Sequence, residues 1–558
     1  MTETPSPSPV PPTLRWRLDG DQAAAVEQLL ERAAAERVVE RLWERDPTLW
    51  GPAGQPEVAD RLGWLDAPTT GLEQREALET LAAEVVADGF TDVILAGMGG
   101  SSLAPEVIWR WSHHRAGDDH RPHLHLRLLD STDPDAVATA DAATEAERTL
   151  VLVSTKSGGT VETLSLFRHF WERHPHGDAF VAVTDPGSGL ERLAREHGFR
   201  AILHGDPEIG GRYSALSPFG TVPAALVGAD LEHLLGGGQA ALDGARMPLA
   251  DNAAVRLGVA LAALAAGGRD KLALRVEDPR LAWFGLWLEQ LVAESTGKHG
   301  HGLLPVIDEA RSGGGTLGPD RQLLVLRAAD PPGGPDPTLE DELAAAAAAG
   351  VPVLELTVDG PGALGAAFAA AEVAVAIAGW GLGINPFDQP DVQAAKDATQ
   401  AVLAEIAAGQ AVPEAPEADA GSILGLLDGL TAPGYLAILA YLPPSDGAAE
   451  AVDRLRAALA ARTDAAVTAG FGPRYLHSTG QLHKGGPPGG RFLLLEHDPR
   501  AAVSIPGADY DFGTLFRAQS AGDLRTLVGR DRQALRVDLG SDWPEGLDAL
   551  VTAIEEHR

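Results

Sequence analysis

The stretch TLVLVSTKSGGTVETLS, residues 149–165, breaks abruptly from an apolar run into hydroxyls, one lysine and two adjacent glycines. Leu150, Val151, Leu152 and Val153 are the continuous apolar run of a parallel strand covered by helices on both faces. Ser154 to Thr163 cannot prolong that strand without burying unpaired polar groups, so the chain must turn there. Gly158 and Gly159 permit close backbone approach, Thr155, Ser157, Thr160 and Thr163 offer hydroxyls, and TVETLSLFRHFWER has the apolar spacing of a helix. A helix N-terminus therefore faces the loop, and its free N–H groups favour an anion such as a phosphomonoester. Taken alone, the segment fits an ordinary hydroxyl-capped turn equally well.

The rest of the chain supplies the context. Apolar strands expected at 93–97, 126–130, 149–154, 180–185 and 201–205 alternate with helical stretches, as in a doubly wound parallel sheet. A second series begins with the helix at 252–266 and continues through strands at 272–276, 322–328 and 351–358. A third block has strands at 435–442, 491–497 and 534–540 and helices near 447–463, 513–529 and 544–557. The reading is an α/β protein: an N-terminal disordered lead and helical segment at 1–74, α/β domains at 75–245 and 246–404, a Pro- and acid-rich linker at 405–430, and a C-terminal α/β domain at 431–558. Within the first segment, residues 20–48 have the pattern of an amphipathic helix.

Charge and cysteine content narrow the function. A formal net charge of −35 argues against nucleic-acid and anionic-membrane partners, so an anionic substrate needs a locally basic site. With no cysteine there is no thiol nucleophile, disulfide or thiolate metal site. The N-terminus MTETPSPSPVPPT lacks a basic start and an apolar signal core, which suits a cytoplasmic protein.

Two further loops resemble the first in character. ILAGMGGSSLAPEV, 94–107, carries Gly100 and Ser101 after a strand, and its paired serines suit a ligand smaller than a dinucleotide. DPEIGGRYSALSPFG, 206–220, places Arg212 in a glycine turn, where it is either a structural group or a cation for a developing oxyanion.

GMGGSSLAP, STKSGGTVET and EIGGRYSALSPFG, followed in order by AESTGK (293–298) and INPFDQPDVQAAK (384–396), resemble the phosphoglucose isomerase family across roughly residues 75–400. The whole chain, with LHSTGQLHKGG near its C-terminus, is similar to the isomerase half of the bifunctional transaldolase/glucose-6-phosphate isomerases. The resemblance implies two doubly wound sugar-isomerase domains, with the C-terminal block beyond them. It also implies reversible isomerisation of glucose 6-phosphate and fructose 6-phosphate without metal or organic cofactor.

Site residues follow from the same motifs. Glu294 matches the family's base, which moves a proton between C1 and C2, and Arg212 the arginine beside the reacting carbons. Thr155, Lys156, Ser157, Thr160, Glu162 and Thr163 match the phosphate loop, and Gln389 and Lys396 the family's glutamine and lysine. The chain departs from that last signature at Pro390, Asp391, Gln393 and Ala395, which bears on local backbone geometry. Ring opening calls for Lys396 and a histidine. The family's histidine interval holds only His299 and His301, so His477 of LHSTGQLHKGG is the expected group, folding back from the third block; the competing reading makes His477 and His483 structural loop residues.

A sensor that binds sugar phosphate without turnover needs the hydroxyls but no proton-shuttling base, so Glu294, Arg212 and Lys396 together disfavour it. Phosphomannose activity in addition depends on contacts to the C2 hydroxyl. Ordinary family members are dimers that share residues at the active site. The third block either supplies the missing group within one chain, making a monomer feasible, or serves a partner or dimer contact.

Overall fold

The carboxyl ends of the parallel strands decide where this chain can bind a ligand. The computed structural model describes residues 9–115, 123–307, 309, 317–331, 334, 336–410 and 418–557. In chain order its strands are β1 (Thr13–Arg17), β2 (Asp92–Gly97), β3 (His125–Leu129), β4 (Thr149–Ser154), β5 (Phe180–Thr184), β6 (Ala201–His204), β7 (Lys271–Val276), β8 (Leu304–Ile307), β9 (Arg321–Ala328), β10 (Val353–Val358), β11 (Tyr435–Tyr441), β12 (Ala466–Phe471), β13 (Gly490–Glu496) and β14 (Gln533–Asp538). They form three sheets, ordered β3-β2-β4-β5-β6, β1-β10-β9-β7-β8 and β12-β11-β13-β14. Every pairing is parallel except β1 with β10.

The sheets share one winding. In each, the first parallel strand (β2, β7 or β11) lies between the next two in sequence, so the connections run off in opposite directions and a crevice opens beside that strand. In the first sheet Gly97 of β2 is in register with Ser154 of β4, so the loops GMGGSS and TKSGGT leave the sheet level and side by side.

Helices fuse the first two sheets into one apolar core. Helices Leu231–Gly244 and Ala363–Leu382 approach backbone to backbone: a Cβ on Gly365 would lie 1.7 Å from the Leu234 carbonyl oxygen, and one on Gly237 2.0 Å from that of Gly362. Ala363–Leu382 is long and apolar enough to cross a membrane, but its apolar window is wholly buried in protein. The third sheet has its own core, and helix Phe512–Val528 carries Phe512, Leu515 and Ala518 into the apolar layer under β2, β4 and β5. Val402 and Leu403 of helix Val392–Ala407 join that same layer.

Several sequence expectations need correction. The segment expected to hold only lead and helix contributes β1, whose TLRWR alternation is half-exposed and charged as suits an edge strand. Residues 1–8 of the expected lead lie outside the described residues. The helix expected at 20–48 breaks at Arg37, whose φ is 54°, into Gly20–Ala35 and Val38–Trp43. Helix Ala67–Ala87 runs through the boundary drawn at residue 75. Within the expected linker, 411–417 lie outside the described residues, while Ala420–Leu427 is a helix whose Ile423, Leu426 and Leu427 pack in the third core. Its short apolar run is masked by the Ala, Pro and acidic residues before it.

Candidate active site

The loop after β4 ends at helix Val161–Arg173, whose N-cap, Thr160, makes no side-chain cap. Its hydroxyl lies 2.8 Å from that of Thr155 instead, leaving the first-turn N–H groups open to an anion. Thr163, in that turn, has a buried hydroxyl with no hydrogen-bond partner among the described residues.

The loop after β2 positions a cation. A Cβ on Gly100 would stand 2.0 Å from the Gly211 carbonyl oxygen, so glycine alone lets the turn at 99–101 lie against the turn carrying Arg212. Arg212 is buried; its Nε donates to Ser295 Oγ (2.8 Å) and its Nη2 to the carbonyls of Pro386 (2.7 Å) and Asp388 (2.9 Å). Nη1 is left 3.5 Å from Glu294 Oε1. Glu294 sits in helix Phe284–Thr296, where Gln290, one turn earlier, donates to its Oε2 (3.1 Å).

The third sheet reaches the same place. After β12, the turn Arg474–His477 brings His477 Nε2 to 3.0 Å from Glu162 Oε1, while the His477 carbonyl accepts from Gln290 Nε2 at 2.8 Å. Gln290 thus bridges Glu294 and the histidine segment. Burial would raise the Glu162 carboxyl, but the His477 charge and hydrogen bond, with Lys396 beyond, hold it below its ordinary value. An ionised Glu162 only accepts, so Nε2 of His477 carries the proton of that contact. Glu162, His477, Lys396, Thr160 and Gln519 line one cleft, with Lys396 exposed at its rim.

Residues 82–303 match the family model of phosphoglucose isomerase. The glucose-6-phosphate isomerase of Thermosynechococcus vestitus (strain NIES-2133 / IAM M-273 / BP-1) is 34% identical over 304 residues, 51% of this chain and 56% of that one. The chain spans a little over half the length of the curated relatives it matches. Among solved structures, a glucose-6-phosphate isomerase from Chlamydia trachomatis D/UW-3/Cx shares the fold with a TM-score of 0.59 at 21% identity, covering 75% of this chain and 92% of that one. A hypothetical protein from Thermus thermophilus superposes with a TM-score of 0.56 at 26% identity, covering 70% of this chain and all of that one.

The phosphoglucose isomerase stretch contains Gly100, Ser101, the phosphate loop, Arg212 and Glu294, whereas Lys396 and His477 lie beyond it. Of the expected residues Thr160, Glu162, Lys396 and His477 line that cleft, and three of the others have different partners or face solvent. Lys156 braces its loop against the neighbouring strands, its Nζ 2.5 Å from Asp185 Oδ2 and 3.0 Å from the Asp206 carbonyl. Ser157 is exposed and its Oγ accepts from Gly159 N at 3.3 Å. Gln389 is exposed at the end of the INPFDQ segment.

Other residues carry weight that the motifs did not reveal. Lys298, the last residue of AESTGK, is buried and donates to the carbonyls of Asn385 (2.8 Å) and Asp388 (2.6 Å) and to Asp388 Oδ1 (2.6 Å). Burial, then the nearby Arg212 charge, lowers its amine to about 8. Gln290 was discoverable from helical spacing, four residues before Glu294. Gln519 carried no such signal, because its partner lies in another domain.

The histidines separate cleanly. His299 and His301 are exposed. His483 is buried against Tyr435, whose hydroxyl lies 3.1 Å from its Nδ1, and burial followed by the Lys484 charge holds it neutral well below its ordinary value. Arg474 anchors the His477 segment: it pairs with Glu106 and, at 2.7 Å, with Asp130, both buried. At another domain contact, ligand atoms of Asp133, Asp135 and His497 lie within 4.8 Å of one another. These groups already hold one another and the backbone: His497 Nε2 is 2.5 Å from Asp133, and Asp135 accepts the N–H groups of Arg500 and Ala501. They form a domain lock, in which His497 Nδ1 is buried with no hydrogen-bond partner among the described residues.

Proposed function

We propose that the chain interconverts glucose 6-phosphate and fructose 6-phosphate. The observation that carries this reading is the pairing of Glu294 with Arg212, linked through Gln290 to a histidine–carboxylate pair beside an uncapped helix N-terminus. The phosphate is held by the N–H groups after Thr160 and the hydroxyls of Thr155 and Thr160, fixing the sugar end remote from the chemistry.

Ring opening comes first, because the cyclic hemiacetal has no carbonyl to acidify the C2 proton. His477 and Lys396 share this step: one takes the anomeric hydroxyl proton as the other protonates the ring oxygen, and the C1–O5 bond breaks as the C1 carbonyl forms. Glu294 then removes the C2 proton. The C–H electron pair becomes the C1–C2 double bond, and the charge gathers on O1 within reach of Arg212. Returning the proton to C1, with loss of the O2 proton to O1, leaves the ketose. One carboxylate suffices because it reaches C1 and C2 from the same face of the planar enediolate.

The third domain contributes His477 within the same chain, so a monomer carries all these groups. A coupled assay on fructose 6-phosphate, with light scattering on the same sample, tests both points. Glucose 6-phosphate formation that collapses in Glu294→Gln supports the reading; tight binding without turnover overturns it in favour of a sensor.

A further inference from the structure

Gln519 lies on helix Phe512–Val528 of the third domain, outside the stretch matched by the family model, and is buried. Its Nε2 donates to Glu162 Oε1 at 2.7 Å, the same oxygen that meets His477 Nε2 at 3.0 Å. Its own Oε1 accepts the hydroxyl of Thr132 at 2.5 Å, in the fully buried turn after β3. Four side chains from four separate elements thus form one line: Thr132, Gln519, Glu162, His477.

The chemistry of the line assigns each direction. An ionised carboxylate can only accept, so the glutamine must present its NH2 group to Glu162, and its carbonyl must then face a donor. Thr132 is that donor. A reversed amide would set two lone-pair oxygens against each other in a buried site. The Glu162 oxygen that orients His477 is therefore itself pinned, and its freedom to swing toward solvent or toward Lys396 is removed.

We propose that Gln519 is a positioning residue of the ring-opening pair, fixing Glu162 on His477 through an amide whose orientation Thr132 sets. It acts through Glu162, whose oxygen it holds. The inference rests on the isomerase reading above, and it makes a prediction that reading does not: the third domain supplies the histidine and also the group that holds the histidine's partner. Docking of that domain and competence for ring opening are therefore the same event.

The test compares the full chain with Gln519→Leu and Gln519→Glu on glucose 6-phosphate and on an acyclic aldose phosphate, which has no ring to open. Gln519→Leu should lower kcat on the cyclic sugar about tenfold or more, with little change in KM and a much smaller loss on the acyclic substrate. Gln519→Glu is the discriminating variant. Its introduced carboxyl, next to Glu162, keeps a proton to higher pH than an isolated acid and while protonated donates as the amide does. Its cyclic-sugar activity should approach the parent's near pH ~6 and fall as pH rises toward ~8, a limb absent from the parent.

Equal losses on both substrates, or a Gln519→Glu profile parallel to the parent's, would overturn the proposal. A parent chain with no isomerase activity would instead overturn the isomerase reading. The proposal then still meets a direct check, because the His477 ring resonance, assigned with His477→Asn, should move in chemical shift in Gln519→Leu as its carboxylate partner is released. An unmoved resonance would contradict it.

Discussion

His477 Nε2 and Glu162 Oε1 are 3.0 Å apart in space and 315 residues apart in the chain. The contact joins the turn after β12 to the first turn of the helix after β4, so a sheet outside the matched stretch completes a site that the first two sheets begin. Replacing His477 by alanine should impair turnover of cyclic glucose 6-phosphate by about two orders of magnitude or more while sparing most turnover of an acyclic substrate. Stopped-flow or coupled assays on both substrates check this; equal losses would remove His477 from ring opening.

Arg474 places that histidine. Its guanidinium lies between Glu106 and Asp130 of the first domain; losing it leaves the buried Asp130 carboxylate without its counter-charge, while Glu106 keeps Arg110. Arg474→Met should destabilise the chain by about 3–5 kcal/mol, far more than removal of a surface pair. Denaturant melts report the loss, and faster limited proteolysis of the third domain should accompany it.

Glu289 gives the molecule a measurable pH dependence. Partly buried near Arg474 and within 3.3 Å of the Ser478 hydroxyl, it is pushed up by burial from 4.5 to about 7. Between those values the folded chain binds a proton that the unfolded chain has lost. Stability from this group is therefore full below about pH 4.5 and is lost as pH rises through about 7. Glu289→Gln should be neutral near pH ~5 and stabilising by about 1–2 kcal/mol near pH ~8, read from denaturant midpoints at each pH.

Arg212 is a test of geometry as much as charge. Its guanidinium reaches Ser295, Pro386, Asp388 and the Glu294 carboxylate at once, which an ammonium cannot reproduce. Arg212→Lys should lower kcat by about 10²–10³ with a smaller change in KM. A KM effect alone would make Arg212 a ground-state binding group.

The parts of the fold that were legible in the sequence are those where one residue pattern has one physical solution. The apolar run at 150–153 admits a buried parallel strand, and the glycine pairs after β2 and β4 admit a close backbone turn. β1, β8 and β12 were missed because each is short or half-exposed, so its side chains carry little periodic signal. Motif order located Arg212 and Glu294, yet it could not tell whether the Lys156 amine faces a ligand or Asp185, a carboxylate 29 residues later. Gln519 and Arg474 were invisible for the same reason: their partners come from other sheets, and only the packing of the third domain makes them part of the site.

The most direct test follows the proton itself. Fructose 6-phosphate supplied in deuterated water should give glucose 6-phosphate carrying deuterium at C2, because the base that shuttles the proton exchanges it with solvent. Glu294→Gln should suppress product formation and label together by about two orders of magnitude or more. Product formed at the parent rate by Glu294→Gln, or no product from the parent chain, would contradict the account.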